Sequence, residues 1–125
     1  MPRDARDLVP LKPVVFEILL LLADEERHGW SLVRELEQRT GGPRMLPGNF
    51  YRVLKGMLAE GLIAEVEPSR AVRTRAAADT GGNAERRQYF ALTKFGRDVA
   101  RAEAHRLDAL VAESRGKRLL AARDR

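Results

Sequence analysis

From Val14 to Ala23 the chain is apolar at every position except Glu17. A run of ten residues is too short to cross a bilayer, which takes roughly 20. No small-residue cleavage site follows of the kind that ends a secretory signal. The run therefore belongs inside a globular fold. Pro13 suits the first turn of a helix, where a missing N–H is not needed. A helix that is apolar on all sides must be covered on more than one face. With 125 residues the chain suffices for one domain and a small core. Part of the cover is accordingly expected from a second subunit, through Val15, Phe16 and Leu19.

The residues before this helix, Met1 to Val9, alternate charges around Pro2 and read as a loosely held arm. After it, Asp24 to Arg27 break the apolar run, and His28 to Arg39 read as a second helix. Trp30, Leu32, Val33 and Leu36 are its inward positions, with Arg34, Glu35, Gln38 and Arg39 toward water. Thr40-Gly41-Gly42-Pro43 supplies a left-handed cap and a block to continuation. A third helix is expected from Pro47 to Glu60. Its apolar residues Phe50, Val53, Leu54, Met57 and Leu58 recur at i, i+3, i+4, i+7 and i+8, which is one arc at about 100° per residue. The opposite arc carries Tyr51, Arg52, Lys55, Gly56 and Ala59: two cations and a tyrosine beside small residues that permit close approach.

Ile63 to Glu67 alternates and reads as a strand, with Gln88 to Leu92 as its antiparallel partner. The polar stretch between them, Pro68 to Arg87, is longer than the 12–15 residues beyond which loops tend to be functional or disordered. Thr93 can cap a last helix from Lys94 to about Ser114, with Phe95, Val99, Ala102, Leu107, Leu110 and Val111 on its less polar side. Gly116 ends or bends that helix, and a basic tail follows. The fold class is mainly α with a small β-hairpin: residues 1–92 as a winged-helix domain with an N-terminal helix, and 93–125 as a C-terminal dimerisation helix and tail. Val99, Leu107, Leu110 and Val111 join Val15, Phe16 and Leu19 as the expected dimer interface.

Composition narrows the chemistry. Cysteine is absent, which removes disulfides, thiolate metal sites and cysteine nucleophiles and suits a reducing cytoplasm. His28 and His105 are the only histidines and are too far apart in sequence for a paired metal motif; His28 suits a cap or packing near a helix start. Gly41-Gly42 lacks the lysine and hydroxyl residue of a phosphate loop. Ser31, Ser69 and Ser114 have no partners that would activate a hydroxyl. Neither an enzyme, a metal nor a cofactor is expected. The formal charge of +5 points to an anionic partner.

Helix, helix, tight turn, amphipathic helix and hairpin is the order of a winged helix-turn-helix, whose recognition helix enters a major groove about 12 Å wide. Arg52 and Lys55, one turn apart, can reach phosphate or guanine edges. The helix start at Pro47, Gly48 and Asn49 has free N–H groups nearby that favour a phosphate, and Asn49 and Tyr51 add hydrogen-bonding side chains. In the wing, Arg70, Arg73, Arg75, Arg86 and Arg87 stand against only Asp79 and Glu85. Arginine suits phosphates and narrow minor grooves because its planar fork donates in pairs.

From Leu11 to Phe95 the sequence resembles PadR-type transcriptional regulators. The resemblance is carried by the Leu-rich first helix, His28-Gly29-Trp30-Ser31-Leu32, the run Met45 to Leu54, Glu60-Gly61-Leu62-Ile63, and Arg86 to Thr93 with Gly96. Pro-Gly-x-x-Tyr-Arg, Glu-Gly-Leu-Ile and Leu-Thr-x-x-Gly are specific in this order. The resemblance implies a cytoplasmic homodimeric repressor on palindromic double-stranded operator DNA, with Tyr51 and Arg52 at the family's DNA-contacting positions. It further implies release by a small aromatic effector; for such a ligand at the dimer interface, Trp30 and Phe95 are the candidate residues. The chain departs from the family at Leu46, where a serine or threonine cap is usual, at Asn49 in place of threonine, in its longer wing and in its single C-terminal helix. The alternative is a winged-helix module that binds a protein. Such a face prefers exposed apolar anchors, whereas the third helix offers cations and small residues.

Overall fold

The computed structural model describes residues 3–40, 47–67, 69–70 and 88–122. A 3-10 turn, Ala5–Leu8, precedes α1, Pro13–Leu22. Strand β1, Arg27–His28, leads directly into α2, Gly29–Thr40. Helix α3 is Pro47–Ala59, followed by β2, Ile63–Val66, β3, Tyr89–Leu92, and α4, Lys94–Gly116. The expected hairpin is present, pairing Ile63 with Leu92 and Val66 with Tyr89. It is not two-stranded: β1 adds to the other edge of β3, pairing Arg27 with Phe90 and His28 with Tyr89, in the order β1-β3-β2. Two residues are too few to show a period of two, so this strand left no pattern in the sequence. As the central strand β3 is covered on both faces, and Tyr89 and Phe90 are both buried.

One core joins all of these elements. Ile18, Leu19, Leu21 and Leu22 of α1 pack among Leu32 and Leu36 of α2, Phe50, Leu54 and Met57 of α3, Ile63, Phe90 and Val99 of α4. Most of α1 is thus covered by its own chain, and Leu20 alone of its last five residues is exposed. Leu19 and Val99, expected at a subunit interface, are both 0% exposed and have no surface to offer a partner. Both belong to the single-chain core, which a stripe read along one helix does not reveal. Trp30 is the opposite correction. The inner arc of α2 runs through Gly29, Leu32 and Leu36, which leaves Trp30 on the flank and 52% exposed.

The joint between α3, the sheet and α4 is made by backbone. Gly61 has φ +80°, and the N–H groups of Gly61 and Leu62 return to the carbonyls of Leu58 and Met57, both at 3.0 Å. This is a Schellman cap, which favours glycine at the left-handed position. Thr93 then ties the cap to α4. Its N–H donates to the Leu62 carbonyl at 3.2 Å, its hydroxyl donates to the Gly61 carbonyl at 2.6 Å, and the same oxygen accepts from the N–H of Gly96 at 2.9 Å. The strands and helix approach so closely that a Cβ on Gly96 would lie 2.0 Å from the Leu62 carbonyl oxygen.

The N-terminal segment is a strap and not a loose arm. Arg3 binds both the carboxylate and the carbonyl of Glu60 at the end of α3, and its guanidinium lies over the Phe95 ring at 5.1 Å. The 3-10 turn packs on α4. Beyond it the Leu11 N–H donates to Glu103, 2% exposed on α4, whose two oxygens also accept from Arg106 at 2.8 Å each. Charge alternation in the sequence looked like solvent exposure because the carboxylates that receive these groups lie 57 and 92 residues away.

The hydrogen bonds from Arg106 hold the Glu103 carboxyl below the usual carboxylate range, against the opposing effect of burial, and the Leu11 N–H and the Arg106 charge add to the lowering. The folded chain therefore binds this proton more weakly than the unfolded one. The stabilisation is complete above about pH 4.3 and is lost as pH falls through the depressed folded value. Glu103→Gln is expected to lower unfolding free energy at pH 7 by about 1–3 kcal/mol and to flatten that acid limb. Urea titrations of both proteins from pH 7 to pH 3 check this, and parallel curves at every pH would contradict it. Two glycines give opposite signs. Gly96→Ala is expected to destabilise by about 1–3 kcal/mol, while Gly56→Ala, with nothing within 4 Å of the new methyl, should stabilise α3 by about 0.5–1 kcal/mol. Thermal denaturation of the two variants tests the contrast.

Candidate nucleic-acid interface

Helix α3 divides along its length as its periodicity requires. Phe50, Leu54 and Met57 are 1–2% exposed, and Val53 and Leu58 are half-buried. Asn49, Tyr51, Arg52, Lys55, Gly56 and Ala59 are exposed. Among the described residues neither Arg52 nor Lys55 forms an ion pair, so the two positive charges on this arc are uncompensated. Pro47 and Gly48 open α3; their side chains lie outside the described residues, as do residues 41–46, Leu46 among them.

Tyr51 does not point straight out. Its ring lies edge-on to Phe50, with centroids 5.5 Å apart at 82°, and leans back over α2, so that a Cβ on Gly29 would meet the Tyr51 ring at 3.2 Å and its hydroxyl at 3.3 Å. The absence of a side chain at Gly29 lets the tyrosine cross between the two helices while remaining 47% exposed. His28 fixes the start of α2 beside it. The Ser31 N–H donates to His28 Nδ1 at 3.1 Å, so the imidazole takes the place of the usual hydroxyl or carboxylate cap. Its ring also packs edge-on to Tyr89 at 5.5 Å. Capping is among the roles the sequence suggested for this histidine.

Trp30, Tyr51, His28, Gly29, Gln88 and Phe90 together line an open cleft of about 130 Å³. The cleft brings α2, α3 and the root of the wing to one place. Arg34, one turn after Trp30, lies with its guanidinium 4.4 Å from the indole centroid. Sequence reading placed Arg34 only as a solvated residue; the available signal was an aromatic and a cation spaced i, i+4 on one helix. Phe95, the other residue considered for an effector, is not a wall of this cleft, and its ring is covered by Arg3. At the wing root, Gln88 donates from its amide to Glu65 at 3.1 Å, and the Ser69 N–H reaches Glu26 at 2.5 Å. Arg70 is exposed there. Arg73, Arg75, Arg86 and Arg87 lie outside the described residues.

The fold recurs in solved structures. RosR of H. salinarum, in the complex named RosR-S4, aligns with a TM-score of 0.60 at 24% identity, covering 91% of this chain and 98% of that one. A second RosR complex, RosR-S1, aligns at 0.58 and 27% identity over 89% of this chain and 80% of that one. ZitR of Lactococcus lactis aligns at 0.59 and 20% identity, over 97% and 70%. A search of curated proteins returned no match. The profile of the PadR-like family of transcriptional regulators matches residues 18–102, a span from the core of α1 through α2, α3 and the sheet into α4. The chain belongs to the PadR-like family of transcriptional regulators.

Proposed function

We propose that this protein is a sequence-specific, homodimeric, cytoplasmic repressor that reads palindromic operator DNA with α3. The observation that carries the reading is the division of α3 into a buried apolar arc and an exposed arc bearing Asn49, Tyr51, Arg52 and Lys55. That arc matches what a major groove accepts: hydrogen-bonding side chains, two cations, and small residues that let the helix come close. A protein-binding face would present apolar anchors in their place. Trp30 and Phe95 remain the candidates for an aromatic effector seated at the dimer interface; within one chain they do not share the described cleft.

The dimer is assigned to the distal half of α4. Its first turns belong to the core, through Gly96, Val99 and Glu103, but no described residue after Glu103 is buried. At 1.5 Å per residue the stretch from Ala104 to Gly116 projects about 20 Å. An isolated helix of that length is marginal in water. Leu110 is 47% exposed, with Leu107 and Val111 half-buried beside it, and Leu119 and Leu120 follow at 77% and 45%. Two-fold packing of these helices covers that surface and sets two α3 helices for successive major grooves, roughly 34–36 Å apart. Thus 1–92 and 93–125 divide by role more than by packing.

Arg52→Ala with Lys55→Ala should weaken binding to a duplex selected from random sequence by about 1–3 kcal/mol where a base contact is lost, and lower the salt slope by about 1 for a lost phosphate contact. Gel shift across a salt series measures both, and wild-type behaviour would end the assignment of this face. Leu110→Glu should shift the protein toward monomer while leaving far-UV circular dichroism close to wild type. Sedimentation at micromolar concentration is the check, and a monomeric unsubstituted protein would refute the dimer.

A further inference from the structure

The indole of Trp30, the only tryptophan in the chain, is half exposed although its helix has a fully formed apolar arc elsewhere. A half-exposed indole forgoes much of the burial that makes tryptophan stabilising and leaves part of a flat apolar ring open to a ligand. Two features show where this side chain can act. Arg34 is held over the indole, and among the described residues it forms no ion pair that would neutralise it. The indole also shares its cleft with Tyr51, which belongs to the exposed arc of α3. The Trp30–Arg34 stack is therefore continuous with the candidate DNA face and extends it from α3 onto α2 with a third uncompensated cation.

We propose that Trp30 and Arg34 form a second DNA-contacting element, which grips the sugar–phosphate backbone at the edge of the groove that α3 enters. The inference rests on the DNA-binding reading of α3. In helix-turn-helix proteins the first helix of the pair crosses the backbone while the second reads the bases. Here the flat apolar indole suits the face of a deoxyribose. Arg34, held in place by the stack, presents its N–H groups to a phosphate with less freedom to lose than an unsupported arginine. Phosphate and sugar contacts fix register and orientation without reading sequence. The pair acts on affinity for any duplex, and the α3 arc acts on choice among duplexes.

The lone tryptophan makes the contact directly observable. The full chain is titrated with two unlabelled duplexes of equal length, one selected from random sequence and one unrelated, and acrylamide quenching of Trp30 fluorescence is followed to saturation. Binding is measured in parallel by anisotropy of the same duplexes carrying a dye. Quenching is expected to fall by about twofold or more on both duplexes. Arg34→Ala and Trp30→Ala should each weaken both duplexes by the same factor, on the order of tenfold, with the salt slope lowered by about 1 in Arg34→Ala. Trp30→Phe, which keeps a flat apolar ring, should recover part of the loss. Unchanged quenching on saturated duplex would overturn the proposal and leave α3 as the DNA-binding helix. Substitutions that affect only the selected duplex would also overturn it, because they would mark a base contact. Absence of binding to either duplex would overturn the DNA reading as a whole.

Discussion

The fold turns on the close backbone contact between Leu62 and Gly96. With the Leu62 carbonyl where a Cβ of residue 96 would stand, the exit of α3, the start of β2, the end of β3 and the first turn of α4 meet at one point. Thr93 serves both sides of it: it caps α4 through the Gly96 N–H and closes onto the carbonyls that follow the Gly61 turn. The orientation of α3 is thus set at its C-terminal end by hydrogen bonds, and along its length by the burial of Phe50, Leu54 and Met57. A helix held in this way presents its outer arc as a rigid edge, which any reading of a groove requires.

The strap at the N-terminus reinforces the same point from outside. Arg3 reaches the last carboxylate of the α3 segment, and Leu11 reaches Glu103 in the middle of α4. The segment thereby bridges the helix that carries the candidate DNA face and the helix whose distal half projects from the fold. The Arg3–Glu60 pair is exposed and contributes little by itself. The Glu103 cluster differs, because its carboxylate is buried and every partner it has offsets the loss of water.

The sequence showed most clearly what repeats with a helix's own period. The arcs of α3 needed no correction, since five apolar residues in thirteen define a direction whatever the surroundings. The Thr93 cap was legible as local chemistry, but its meeting with the Gly61 turn was not, because it joins residues about 30 apart. The same limit explains the other differences. Leu19 and Val99 looked like interface residues because a stripe says that a face is covered without saying by which chain. Trp30 looked like core because its spacing from Val33 is right, and its neighbours Leu32 and Leu36 moved the buried arc aside. The two residues of β1 are defined only by their partners on β3. Four of the wing's five arginines lie outside the described residues, so the wing enters the site described above only through its root.

Net charge alone is a poor guide to where an anion would bind. Arg3, Arg6, Arg27, Arg39, Arg101 and Arg106 each face a carboxylate, of Glu60, Asp4, Glu35, Glu17, Asp98 and Glu103 respectively. A cation beside a carboxylate projects little field beyond a Debye length of about 8 Å at physiological salt. Among the described residues Arg34, Arg52 and Lys55 have no such partner, and they lie on α2 and α3, the two helices that meet at Tyr51. Lys12, Lys94, Arg97, Arg115, Lys117 and Arg118 also lack a carboxylate partner among the described residues, so unpaired charge by itself does not single out one surface. What sets the α2–α3 edge apart is shape: the small residues Gly56 and Ala59 on α3 and the aromatic rings of Trp30 and Tyr51 stand beside Arg34, Arg52 and Lys55.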